Sequence, residues 1–458
     1  MKVQTVESLL REGRYGVVDA PAYGQGDPSV ECGVINVFDD VQYQEILGFG
    51  AAFTESAAYN YSLLTAEQKQ DFLERCFNKE SGLGYCLGRV HINSCDFSLN
   101  IYNYVQEGDD TLETFDISRE RQYVIPFLRD IQAYCQEPLV LMAAPWSPPA
   151  YMKDNNSEIA GGRLKEEYRR LWATYYAKYI EAFREEGIAI SAISVQNEPN
   201  AVQTWESCFY SAEDERDFLE QHLIPVLDER GLSDIRIIVW DHNKERVYDR
   251  AKTILYTPEM SERVWAVGHH WYSGDHFDGL RLVQEQLNKP NICTEFCGGI
   301  EDDVVALAER YAREMCENLN NYMIASCDWN IMLDQEGGPF HNRTAQMVTQ
   351  DGKVLEYKCN GCYAPVIYDR PNETLVYTPI YYCTGHFSRY IQKGARRIAV
   401  TKFSDDLHVC AVRNPDGSVV AIVLNATDAN SNFHLRYHGE CTPLTVHAHS
   451  VLTVVLTA

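Results

Sequence analysis

The chain has 458 residues, 45% hydrophobic and 23% charged, within the range of soluble globular proteins. Sixty-six acidic side chains against 40 basic ones leave a formal charge of −26. A field of that sign disfavours nucleic acid, anionic membranes and anionic substrates, and leaves a neutral ligand as the better fit.

The opening stretch MKVQTVESLLREGRYG lacks the apolar centre of a secretory leader, and no run of 18 apolar residues occurs. The expectation is a cytoplasmic protein with no membrane span, secreted only if a leader has been removed. The 15 cysteines are scattered through apolar segments and read as reduced thiols filling the core. Cys359 and Cys362 form a CxxC, but the only comparable pair is Cys293 and Cys297 in CxxxC spacing, so no structural zinc is expected.

In chain order, RYGVVDAP and CGVINVF read as strands within residues 1–44. From residue 45 short apolar runs alternate with longer stretches of helical period. Eight runs can be counted: EILGFGAAFT, YCLGRVHINSCD, PLVLMAAPWS, AISAISVQNEP, IRIIVWDHN, VWAVGHHWY, NICTEFCGG and SCDWNIML. Thr65 and Ser211 read as helix starts, Gly187 and Gly231 as stops; residues 244–262 and 273–290 are weaker helices. Alternation of this kind over residues 45–374 predicts an α/β fold, a (β/α)8 TIM barrel. The open doubly wound sheet is disfavoured, because GFGAAF lacks the third glycine of a phosphate turn. Residues 375–458, beginning with TLVYTPIYY, read as closely spaced strands with an NPDG hairpin turn. They predict an appended antiparallel β-sandwich, which residues 1–44 could join.

Barrels of this kind carry their reacting groups at the carboxyl ends of the strands. Here those ends hold Arg89, His91 and Asp96; Trp146; Asn197 and Glu198; Asp241 and His242; His269, His270 and Tyr272; Glu295; Trp329 and Asn330. Indole faces pack against sugar rings, while carboxylates and amides bond to hydroxyls, so the mixture suits a neutral polyhydroxylated ligand. Phosphate chemistry would call for lysines, arginines and glycine-rich backbone instead. Glu198 and Glu295 end the fourth and seventh runs, 97 residues apart. Glycoside hydrolysis needs two carboxyl groups flanking the scissile bond, and their separation decides between retention and inversion. Asn197 is placed to bond a sugar 2-hydroxyl. Trp146 and Trp329 fit the mouth better than the core, Asp96 is either a loop cap or a site residue, and His270 and Tyr272 fit as partners of a glutamate.

At these residues the sequence resembles glycoside hydrolase family 30, in its glucosylceramidase-like branch. The motifs are GFGAAFTESAAYNYSLL, RVHINSCDFS, AAPWSPPAYMK, QNEP, GHHWY, TEFCGG, DWNIMLDQEGGP and YYCTGHFSRYIQKGARRI, in family order over residues 45–400. The resemblance implies a retaining β-glycosidase, a barrel with a sandwich built from both termini, and no metal or organic cofactor. It makes Glu198 the acid/base and Glu295 the nucleophile. It makes Asp96, Trp146, Asn197 and Trp329 sugar-binding residues, and puts His270 and Tyr272 around the nucleophile, where they too are expected to bind substrate. Phe340 and His341 depart from the family's usual Asn-Trp. For Glu198 to donate a proton, burial and the Glu295 charge are expected to raise its pKa. The substrate implied is a β-glucoside or glucosylceramide-like lipid; β-1,6-glucan, β-xyloside and β-fucoside are the alternatives, and the oligomeric state is left open. Two rivals are a non-catalytic carbohydrate-binding barrel and a metal-dependent hydrolase using His269, His270 and Asp241.

Overall fold

The computed structural model describes residues 1–135, 138–341, 344–348, 354–358 and 361–458, with the two short segments 344–348 and 354–358 described through their backbone alone. Local sequence sets the helix ends. The Thr65 hydroxyl accepts from the Gln68 N–H at 3.2 Å while the Gln68 side chain accepts from the Thr65 N–H at 2.9 Å. Ser211 and Asp214 form the same reciprocal cap, satisfying amides that a first turn leaves open. Gly187 and Gly231, at φ of 78° and 69°, take the left-handed conformation that ends their helices.

Eight parallel strands close a barrel: Gly48–Ala52, Leu87–Ile92, Val140–Pro145, Ile190–Ser194, Arg236–Asn243, Val264–His270, Asn291–Glu295 and Met323–Asn330, the last pairing back to the first. The interior is filled low down by apolar residues from seven of the eight strands, including Leu87, Met142, Ala192, Ile238, Ala266 and Ile292, with Leu47 packed on them just before the first strand. Side chains two or four residues further along a strand point into the same interior. Arg89 and His270 therefore stand directly above that plug, and the barrel turns from apolar to charged within one layer. The weak helices after strands five and six form as Val247–Ile254 with Pro258–Arg263, and as Phe277–Leu287.

A nine-stranded sheet takes up both ends of the chain. Lys2–Leu9 lies between Arg14–Asp19 and Ser450–Thr457, and Val34–Glu45 lies between Arg396–Thr401 and Ser431–Tyr437. Val419–Asn425 is apolar at almost every position because both its faces are covered. Val419, Ala421 and Val423 join the sandwich core, and Val420, Ile422 and Leu424 join the core shared with the barrel.

One element differs from expectation. TLVYTPIYY is not a single strand: Thr374–Tyr377 pairs with Val366–Asp369, and Pro379 opens a helix running to Ser388. Proline is tolerated at a first helical position, where its missing N–H would have had no partner, and its fixed φ suits the helix. This helix packs on the barrel helix Val304–Asn320, and its His386 ring nitrogens bond the Ser8 and Thr453 hydroxyls at 2.8 Å each. The strands of the large sheet resume only at Arg396, not near residue 375. Among the described residues no helix is long and apolar enough to cross a membrane.

Candidate active site

The charged layer is built around Arg89, which is 1% exposed. Its Nη1 donates to Glu295 Oε2 at 2.6 Å, and its Nη2 donates to Asn197 Oδ1 at 2.7 Å and Asp241 Oδ2 at 2.9 Å. The guanidinium lies 4.8 Å from the Trp146 ring centre and 5.6 Å from that of Trp329. The two indoles stack on each other at 5.2 Å. One cation on strand two thus fixes groups from the ends of strands four, five and seven. Asp241 and Glu295 keep it charged against the cost of complete burial.

Glu295 is the last residue of its strand, and a register shift before it turns its carboxylate inward. Its second oxygen accepts from the Tyr272 hydroxyl at 3.0 Å. Glu198 lies four residues beyond Ser194, in the loop. Its N–H donates to Asp241 O at 3.0 Å and its carbonyl accepts from the Ala201 N–H at 2.9 Å, holding φ at +47°. That left-handed conformation is costly for a residue with a Cβ and is kept where the surroundings enforce it.

His270 joins the two. Its Nδ1 is 3.0 Å from Glu198 Oε1 and 4.0 Å from Glu295 Oε1, so those two oxygens lie within 7.0 Å of each other. Its Nε2 is 3.2 Å from Asp241 Oδ1. Burial opposes charge on this ring, but Glu295, Asp241 and Glu198 outweigh it and raise the His270 pKa to about 9. The expected upward shift of Glu198 is not found. Burial does push its carboxyl up, but the His242 and His270 nitrogens, 3.4 and 3.0 Å away, overcome burial and hold it well below the usual carboxylate range. The proton is in place, then, but it rests on His270. Asp241 is likewise held low, against burial, by Arg89 and His270.

Asp96, Trp146, Asn197, Glu198, Tyr272, Glu295 and Trp329 line one cavity of about 330 Å³. His270, expected to bind substrate, does not. It is completely buried behind the two glutamates, because strand six carries it one layer below the mouth. Asp96 Oδ1 is buried without a protein partner, and burial with the Glu295, Glu206 and Glu198 charges raises that carboxyl well above its ordinary value. A neutral Asp96 can donate as well as accept. His269, part of the metal-hydrolase rival, is buried with neither ring nitrogen partnered. The groups placed to share an ion are Glu198, His242 and His270, with ligand atoms within 4.8 Å of one another. An ion there would have to displace the His270 proton and occupy the Glu198 carboxylate itself.

With this geometry in view, the comparisons with known proteins are direct. The family model for the glycosyl hydrolase family 30 TIM-barrel domain matches residues 46–391, and that for the family's β-sandwich domain matches residues 394–454. The chain belongs to glycoside hydrolase family 30. Lysosomal acid glucosylceramidase of Mus musculus is 29% identical over 410 residues, covering 84% of this chain and 75% of the mouse protein. Among solved structures, SrfJ of Salmonella typhimurium superposes with a TM-score of 0.93 at 31% identity, over the whole of both chains. An endo-β1,6-glucanase superposes at 0.85 with 26% identity over 99% of each.

The hydrolase has site residues that the sequence did not single out. Arg89 carried a signal, a charged residue inside the apolar run CLGRVHI. Asp241 and His242 stood at a strand end, Asp241 with a role only in the metal-dependent rival and neither as a partner of Glu198. Gln203, Trp205, Phe340 and Cys362 also line the cavity. All four come from loops without periodic pattern: Phe340 stood out only as a departure from the family motif and Cys362 only as half of a CxxC, while nothing in the sequence marked Gln203 and Trp205. Cys359, the other half of the CxxC, lies outside the described residues.

Proposed function

We propose that this family 30 hydrolase is a retaining β-glycosidase in which Glu295 is the nucleophile and Glu198 the acid/base. The observation that carries the reading is the pair of carboxylates facing one imidazole nitrogen, at 3.0 and 4.0 Å, in the wall of a cavity sized for a sugar. Arg89 and Tyr272 each bond one oxygen of Glu295, which aims the carboxylate. Glu295 attacks the anomeric carbon as the bond to the leaving oxygen breaks. That oxygen receives a proton from Glu198, supplied by His270 Nδ1. His270 keeps its Nε2 proton on Asp241. Once Glu295 is esterified its charge is gone and His270 loses one of the carboxylates that hold its proton; water then attacks the anomeric carbon, the bond to Glu295 breaks, and Glu198 takes the water's proton and returns it to His270 Nδ1. Because the acid is a hydrogen-bonded couple, its apparent pKa belongs to the pair.

Asn197, fixed by Arg89, is set to bond the 2-hydroxyl, and Asp96 a hydroxyl at the closed end, with Trp146 and Trp329 beneath the ring. Glucose is the sugar we favour, in a β-glucoside or glucosylceramide-like substrate, given the likeness to a glucosylceramidase. The likeness to an endo-β1,6-glucanase, which spans almost the whole chain, supports β-1,6-linked glucan as the second reading. A cytoplasmic setting belongs to the same reading, in keeping with cysteines scattered through apolar segments.

Proton NMR of an aryl β-glucoside digest tests the mechanism. The β-anomer of glucose should appear first, and an α-anomer would refute the double displacement. Dialysis against EDTA should leave the rate unchanged, and loss of activity restored by zinc would favour the metal-dependent reading.

A further inference from the structure

Two thiols stand in the wall of the cavity. Cys297, two residues beyond Glu295, has its sulfur 3.5 Å from that of Cys362, and both line the cavity and remain partly accessible. Nine of the other described cysteines are fully buried, so this pair is the one a solute reaching the cavity would meet. The backbones that carry it are clamped together. The Ile300 N–H donates to Gly361 O at 2.7 Å and the Tyr363 N–H to Gly298 O at 2.9 Å. The Cys362 segment is also pressed against the turn before it, since a Cβ on Gly361 would fall 2.1 Å from Glu336 O. Neither loop can carry its thiol away from the other. A disulfide needs the sulfurs at about 2.05 Å, which side-chain rotation must supply.

The pair also touches the machinery. Cys297 Sγ is 3.3 Å from the Tyr272 hydroxyl, and that hydroxyl donates to Glu295 Oε1 at 3.0 Å. With the Tyr272 proton committed to Glu295, the Cys297 thiol is left to donate to the tyrosine oxygen. Removing its hydrogen weakens a chain that ends on the reacting carboxylate.

We propose that Cys297 and Cys362 form a redox-active dithiol, closed to an intramolecular disulfide by a low-molecular-mass disulfide, and that closure slows the hydrolase through Tyr272. The Cys362 thiolate attacks one sulfur of the oxidant and expels one small thiol. The Cys297 thiolate then attacks the Cys362 sulfur of the mixed disulfide and expels the second. Two electrons and two protons leave the protein, and one disulfide becomes two thiols. The Cys362 sulfur and burial push the Cys297 thiol up, which makes it the slower, resolving partner and makes closure faster as pH rises.

The kinetic readout rests on the proposed role of Glu295, whereas the chemistry is read separately by mass. The full chain is incubated with oxidised glutathione, weighed intact, mapped by peptide digestion and assayed on an aryl β-glucoside. The expected result is loss of two hydrogens mapped to Cys297–Cys362, with kcat/KM lowered about two- to tenfold, as for one hydrogen bond between neutral groups, and restored by dithiothreitol. Cys362→Ala and Cys297→Ser should both lose the closure, two substitutions guarding against one that fails to fold. Cys32→Ser, far from the cavity and exposed, should respond like the parent. A bridge to Cys359, a glutathione adduct that never closes, or closure with kcat and KM unchanged would each overturn the proposal. An inactive reduced enzyme would instead count against the glycosidase reading.

Discussion

The ends of barrel strands four and seven each present a glutamate to the same cavity, yet the two regions are built differently. Glu295 belongs to its strand and is held by a permanent cation and a phenol, Arg89 and Tyr272. Glu198 sits in a loop at positive φ and faces titratable rings, His242 and His270. The first setting fixes a charge, and the second places a movable proton beside a carboxylate. Sequence position alone would make these two acids equivalent, and it is their neighbours that set them apart.

That contrast can be broken one group at a time. The largest effect belongs to Glu295→Gln, which should lower kcat on aryl β-glucosides by a factor on the order of 10⁵ to 10⁶, as for loss of a nucleophile. A residual rate near the parent's would mean that another group attacks. Glu198→Ala should cost about 10² to 10⁴ on alkyl glucosides, the usual value of a general acid, and far less on dinitrophenyl glucosides, which need no acid. Equal losses on both substrates would remove Glu198 from the acid role.

Arg89→Met asks whether one cation holds the first setting together. It strands Glu295 and Asp241 in a buried site, and urea unfolding should show a loss of about 3 to 5 kcal/mol. An unchanged midpoint would contradict the bonding described for that layer.

The smallest effect sharpens the contrast through pH. His270 has its folded pKa raised from 6.5 to about 9, so its contribution to stability is complete below pH 6.5 and is lost as pH rises through 9. Glu198 and Asp241 are depressed in the folded protein, so their contribution is present above the ordinary carboxylate range and is lost as pH falls below it. His270→Gln should flatten the fall in melting temperature on the alkaline side, a contribution of up to about 3 kcal/mol, and should move the alkaline limb of kcat/KM. If both profiles coincide with the parent's, the proton does not rest on His270.

Much of this was legible in the chain. The alternation of apolar runs with capped amphipathic stretches was enough for a parallel barrel, because period and caps are local properties that no distant contact needs to supply. Glu198, Glu295 and the two tryptophans could be found because barrels put chemistry where strands stop. The helix at Pro379 was missed for a local reason too: TLVYTPIYY is rich in β-formers, and only packing between the barrel helix and the sandwich rewards the helical turn.

The sequence by itself determined which side chains arrive at the mouth of the barrel, since strand length and direction follow from the pattern of residues. Only the tertiary structure decided what those side chains are. Ring closure brings Arg89, Asp241 and His270 from three strands into one buried layer, and in a medium that screens charge poorly the nearest neighbour settles each protonation state. The expectation that Glu198 would hold its own proton failed for that reason: the raising effect of burial can be guessed from a strand end, but the two imidazoles that outweigh it, His242 and His270, lie 44 and 72 residues further on.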